Sequence, residues 1–113
     1  MADSARGLKI AKLNGRNFQS WKFNMKCLLM EKGLWRYVDA SNLITKPEVL
    51  QQSETVTADA AAKSVEKLNE YNLKADQAYS LIALYVEPQL QIHVSTKGTA
   101  SEAWENLEET IPV

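Results

Sequence analysis

The chain has 113 residues, 45% of them hydrophobic and including three Trp, four Tyr and two Phe, enough for one compact unit with a real core. Its formal net charge of -1 argues against a domain whose main work is gripping nucleic acid. Cys27 and His93 are each alone of their kind, so neither an intrachain disulfide nor a Cys/His zinc set is available, and no metal or cofactor is implied.

The longest apolar runs, Leu28-Leu29-Met30 and Leu81 to Val86, fall far short of the roughly 20 residues a membrane span needs. The start, Met1-Ala2-Asp3-Ser4, has no signal-peptide core, and Ala2 stands where N-myristoylation requires glycine. A cytoplasmic protein without a lipid anchor is the expectation. Charge is unevenly spread. Residues 1–36 carry eight basic side chains against Asp3 and Glu31, residues 37–98 are mildly acidic, and residues 99–113 hold four glutamates and no base.

In chain order, residues 1–7 read as loose, and Leu8, Ile10 and Leu13 as an arm or short strand ending at Asn14-Gly15. Asn17 is a good N-cap for a helix over Phe18 to Lys32, whose Phe18, Trp21, Met25, Leu28 and Leu29 recur at helical spacing. Gly33 suits the C-terminal cap, and Leu34 to Val38 reads as one helical turn on the core. Asp39 to Thr57 lacks periodicity and is the expected long connection.

After Thr57 the residues Ala61, Val65, Leu68, Asn72, Ala75, Tyr79, Ile82 and Val86 alternate spacings of four and three. That predicts a helix of about 30 residues, roughly 45 Å long, supported by Asp59/Lys63 and Glu70/Lys74 pairs, with Asn72 a place for a kink or break. Such a run also fits a coiled-coil dimer. Leu81, Leu84 and Tyr85 widen the apolar face of its second half, which favours burial in a bundle. Pro88 stops this helix and opens a short one to Val94. Thr99-Ala100-Ser101-Glu102 has capping-box form and starts a last helix that buries Ala103, Trp104 and Leu107. Its abrupt end at Ile111-Pro112-Val113 reads as a piece of a longer protein.

No phosphate loop, nucleophile elbow, aspartic-protease triplet or second histidine is present, so no catalytic residue and no small-molecule substrate are assigned. His93 and Cys27 read as structural, and Glu102, Glu105, Glu108 and Glu109 as a solvated helix face. Lys9, Lys12, Arg16, Lys22 and Lys26 alternate with Phe18, Trp21 and Phe23, a pattern that could set phosphate contacts beside stacking rings. Phe18 and Trp21 belong to the helix's apolar stripe, however, which leaves mainly the cations for phosphate.

Two landmarks carry a resemblance. The run Lys12-Leu13-Asn14-Gly15-Arg16-Asn17-Phe18-Gln19-Ser20-Trp21-Lys22, continued by Met25, Leu28-Leu29 and Gly33-Leu34-Trp35, resembles the opening of copia-type retrotransposon Gag polypeptides, a Leu-x-Gly-x-Asn-Phe/Tyr-x-x-Trp signature followed by a helix and a Gly-Leu-Trp turn. Ala75-Asp76-Gln77-Ala78 into Ile82, with Thr99 to Leu107, resembles the family's later Thr-Ala-x-x-Ala-Trp-x-x-Leu. The tryptophan that many members place at the head of the Ala-rich helix is missing from Thr57 to Val65. The zinc knuckle, protease, integrase and reverse transcriptase of the longer polyproteins have no counterpart in this sequence.

The resemblance implies an all-α fold similar to a retroviral capsid N-terminal domain, a bundle of four or five helices with an arm at residues 1–16 and the helical domain at 17–113. It implies a structural protein that self-associates into a capsid-like particle around RNA, with RNA contact weak or indirect and no membrane partner. The alternative is an RNA-binding module using the basic N-terminal third. Candidate contact residues for either are Arg16, Lys22, Lys26 and Arg36. Expected core residues are the anchors Phe18, Trp21, Trp35 and Trp104, with Met25, Leu28, Leu68, Tyr79, Ile82 and Leu90.

Overall fold

The computed structural model describes residues 10–111; Leu8, the expected loose start at residues 1–7, and Pro112-Val113 lie outside that range. It is an all-α bundle. Four α-helices, α1 (Phe18–Glu31), α2 (Ala58–Leu84), α3 (Ile92–Ser95) and α4 (Ala100–Thr110), are joined by single 3-10 turns at Trp35–Tyr37, Ala40–Asn42 and Pro88–Leu90.

Helix α1 contains neither Gly nor Pro and buries Phe18, Trp21, Met25 and Leu29 on one face. It ends at Gly33, whose φ of 73° is open to glycine without a side-chain clash. There the Leu34 N–H returns to the Leu29 carbonyl (2.7 Å) and the Gly33 N–H to the Met30 carbonyl (3.0 Å), the double closure of a Schellman motif. Leu34 is thereby turned into the core, 2% exposed.

The start of α1 differs from expectation. Asn17 does precede the helix, but its side chain makes no cap hydrogen bond. Its Oδ1 instead accepts from the Asn14 N–H (2.9 Å), and its Nδ2 donates to the Lys12 carbonyl (3.0 Å). Asn14 Oδ1 in turn accepts from the Arg16 N–H (2.8 Å), around Gly15 at φ 90°. The amide side chain is spent on folding the preceding loop because that loop must deliver Leu13. Leu13 is fully buried and forms a single parallel bridge with Val86, through Leu13 N–H to the Tyr85 carbonyl (2.7 Å) and Glu87 N–H to the Leu13 carbonyl (3.0 Å). Among the described residues the expected arm or strand is one bridge, and Leu13, on the arm side of residue 16, is part of the core.

Helix α2 runs unbroken through Asn72, capped by Thr57 Oγ1 accepting from the Ala60 N–H (3.1 Å). Asp59 and Lys63 pair at 3.3 Å; Glu70 and Lys74 do not close a bridge. The face it turns inward is Ala61, Ser64, Leu68, Tyr71, Ala75, Ala78 and Ile82, while Val65 and Asn72 are exposed. Two patterns share positions 61, 68, 75 and 82, and the fold follows the one whose intervening residues are Ser64, Tyr71 and Ala78. Of these, the small Ser64 and Ala78 let neighbouring backbone approach, while the Tyr71 ring packs 5.4 Å from that of Tyr37. Ser64, 7% exposed, donates to the Ala61 carbonyl (2.7 Å) and accepts from the Leu50 N–H (2.9 Å), which holds the long connection against the helix.

The core is drawn entirely from residues 10–38 and 78–111. Phe18, Trp21, Met25, Ile82 and Trp104 are buried as expected, and Leu28, Trp35, Tyr79 and Leu90 pack half-buried against them. Leu68 is half-buried but outside this cluster, on the part of α2 before Ala75 that contributes no residue to it. Leu84, expected on the apolar face, is 65% exposed. Pro88 forces the preceding Glu87 into extended backbone (ψ 152°), which frees the Glu87 N–H for Leu13. In α4 the Thr99 hydroxyl accepts from the Glu102 N–H (3.1 Å), while the Glu102 carboxylate reaches the Gly98 N–H (3.2 Å), one residue earlier than a standard capping box.

Trp21→Ala or Trp104→Ala is expected to cost about 3–5 kcal/mol, close to the whole stability of a domain this size. Trp21→Phe keeps most of the burial and leaves the Tyr85 carbonyl still bonded to Leu13, so about 1 kcal/mol is expected. Urea melts followed by circular dichroism rank the three variants; equal, near-wild-type midpoints would contradict the packing described.

Candidate interaction surface

The four aromatic anchors form one continuous row. Phe18 stacks on Trp21 (centroids 6.2 Å apart), Trp21 on Trp104 (5.7 Å, 28° between planes), and Trp104 meets Trp35 edge-on (5.3 Å, 77°). Such pairs contribute about 0.5–1.5 kcal/mol beyond simple burial. The Trp21 indole N–H donates to the Tyr85 carbonyl at 2.9 Å, so the row is also tied to the end of α2. Elements distant in sequence are thus joined by the residues that make up both landmarks.

The candidate contact residues sit around the outer rim of this row, where three of the four are engaged. Lys22 pairs with Glu108 of α4 at 2.7 Å and lies 5.7 Å from the Phe18 ring. Lys26 stands over the Trp35 ring at 5.3 Å. Arg36 donates from Nε to the Asn42 carbonyl at 3.3 Å, steadying the turn that enters the long connection. The Arg16 side chain is exposed on the Asn14-Gly15 loop. The basic and acidic stretches of the chain therefore meet at Lys22 and Glu108, because α1 and α4 are packed together by Trp21 and Trp104.

Between these helices lies a hollow of about 360 Å³ lined by both lysines, Trp35, Asp39, Trp104, Glu105 and Glu108. Its mixed charges neutralise one another, and it has no converging set of one sign to grip phosphate or a metal. Among the described residues no group of three or more His, Cys, Asp or Glu side chains could hold a metal ion. No helix among them is long and apolar enough to cross a membrane. The fold uses His93 through its carbonyl, which accepts from Asn106 Nδ2 (2.8 Å) and fastens α3 to α4. Tyr37 lies 5.4 Å from Tyr71 across α2, and its hydroxyl pKa is raised, first by burial and then by Glu70 and Tyr71, with Arg36 opposing.

Sequence reasoning gave weight to the cations and little to exposed apolar side chains. Phe23 (67% exposed) and Met30 (55%) project from α1, and Leu73 (58%) and Leu84 (65%) flank a groove of about 550 Å³ with Leu34 and Leu81. The signal for the first pair was present: Phe23, Cys27 and Met30 recur at four and three residues on the face of α1 opposite its buried stripe.

The arrangement defines a class: a helical domain whose distinctive Asn, Gly and Trp residues are committed to packing and whose available chemistry is that of a surface. The chain matches the family described as gag-polypeptide of LTR copia-type over residues 25–110, and it belongs to that family. The matched range takes in Gly33-Leu34-Trp35 and Thr99 to Leu107, while the Leu13 to Trp21 signature lies wholly upstream of it. No curated protein and no solved structure matches the chain.

Because Lys22 and Glu108 are both more than a third exposed, the pair is expected to stabilise by no more than about 1 kcal/mol. Lys22→Glu sets two carboxylates together and lowers the urea midpoint slightly, and the exchange Lys22→Glu/Glu108→Lys restores it. An exchange variant no more stable than the single one would mean that the two side chains do not meet in solution.

Proposed function

We propose that this domain is a structural part of a Gag capsid, contacting copies of itself to build a particle that encloses RNA in the cytoplasm. Membership of the copia-type Gag family supports the structural role. The observation that carries the choice of self-association over direct RNA gripping is where charge and apolar surface lie. Lys22, Lys26 and Arg36 are tied to Glu108, Trp35 and Asn42, whereas Phe23, Met30, Leu73 and Leu84 are left uncovered. Uncovered large apolar residues grouped on a helix face are the usual mark of a protein contact.

RNA would then be held by weak, nonspecific attraction, with dissociation constants in the range of roughly 10⁻⁴ to 10⁻⁶ M that rise steeply with added salt. Electron microscopy of the assembled Gag polypeptide, together with filter binding of this domain to RNA, tests the reading. Closed particles with weak, salt-sensitive RNA binding are expected. Nanomolar, salt-resistant RNA binding without particles would instead make the basic N-terminal third an RNA-binding module.

A further inference from the structure

We propose that α1 pairs with α1 of a second copy, parallel and in register, along the ridge Phe23, Cys27 and Met30. This rests on the self-association proposed above and names the face that performs it. At about 100° per residue, Phe23, Cys27 and Met30 all fall on the face away from the buried stripe of Phe18, Trp21, Met25 and Leu29, with Cys27 most nearly opposite it, and all three are exposed. Their spacing of four and three is that of a two-stranded helical seam, with Phe23 and Met30 in one kind of core position and Cys27 in the other.

The charges beside the ridge choose both the partner and its direction. Lys26 and Glu31 fall on opposite flanks of the seam, five residues apart. A parallel pairing sets Lys26 of one copy against Glu31 of the second copy on both sides, whereas an antiparallel pairing sets Lys26 against Lys26. Among the described residues the ion pairs are Lys22 with Glu108 and Lys63 with Asp59, so neither Glu31 nor Lys26, whose ammonium stands over the Trp35 ring, has an acidic or basic partner within its own chain. The ridge is self-complementary, which makes the contact two-fold. A helix of 14 residues is only about 21 Å long, and the area it can cover is well under the roughly 800 Å² per partner of a stable complex. The contact is therefore weak in a pair of free molecules and effective where many copies are held together.

Cys27, the single cysteine, reports on the geometry directly, since a parallel in-register seam brings the two Cα atoms toward the roughly 5.5–6 Å that a disulfide spans. The chain at high concentration is treated with diamide, and covalent dimer is read on a non-reducing gel beside sedimentation of the untreated sample. Wild type is expected to cross-link. A Cys27→Ser/Gln51→Cys control, with its thiol in the exposed connection, is expected to stay monomeric. Phe23→Glu, at an exposed position that leaves the circular dichroism unchanged, is expected to lose the dimer, Glu31→Lys to weaken it, and Lys26→Glu/Glu31→Lys to restore it. Cross-linking equal to the control or indifferent to Phe23→Glu would overturn the proposal, and failure of the charge exchange to restore would overturn the parallel register. Self-association in sedimentation without Cys27 cross-linking would reject this face and leave the capsid reading standing; no self-association at any concentration would reject both.

Discussion

The carbonyl of Tyr85 is where the fold is closed. It lies just past the last turn of α2, where helix carbonyls lose their intrahelical donors, and it accepts from both the Leu13 N–H at 2.7 Å and the Trp21 indole at 2.9 Å. A polar group at a buried helix end must be bonded, and here the two donors come from the arm and from α1. One acceptor thus fixes two segments near the start of the chain to a helix end more than 60 residues further on. From Trp21 the aromatic row continues to Trp104 of α4 and Trp35 of the turn after α1, so the remaining elements depend on the same point.

This dependence explains why the residues that make the sequence recognisable are not a binding site. Gly15 supplies a positive φ, Asn17 bonds the loop that aims Leu13, Phe18 and Trp21 fill the core, and Gly33 turns Leu34 inward. Thr99 caps the helix that carries Trp104. These landmark residues are used up in holding the bundle together. What the domain can offer a partner is the outer surface, where the cations are partly neutralised by neighbours and several large apolar side chains are bare.

Local features were legible in the sequence. Gly33, Pro88 and Thr99 mark helix ends by backbone chemistry that does not depend on the rest of the chain, and the anchors Phe18, Trp21, Trp35 and Trp104 stand out by size. Non-local features were less so. The periodicity of α2 admits two faces that share Ala61, Leu68, Ala75 and Ile82, and side-chain hydrophobicity favours Val65 over Ser64, yet the fold buries Ser64 because its hydroxyl receives the Leu50 N–H. Tyr79 in the other pattern is kept near the core by its hydroxyl, which donates to the Val94 carbonyl at 3.0 Å, with the Lys97 carbonyl 3.2 Å away. Asn17 read as a cap since its local sequence allows one, and only the distant demand for Leu13 at Val86 redirects its side chain. The meeting of Lys22 with Glu108 likewise follows from the stacking of Trp21 on Trp104, a contact between residues 83 positions apart that no local pattern announces.

Native-state hydrogen exchange tests this closure most directly. If the Tyr85 carbonyl holds the bundle together, the Leu13 and Glu87 amides and the Trp21 indole N–H exchange only with global unfolding, at the same free energy as the buried amides of α1 and the second half of α2. Rapid exchange at Leu13 and at the Trp21 indole while those helices stay protected would show that the arm is merely laid on a bundle that stands without it, and would contradict the account.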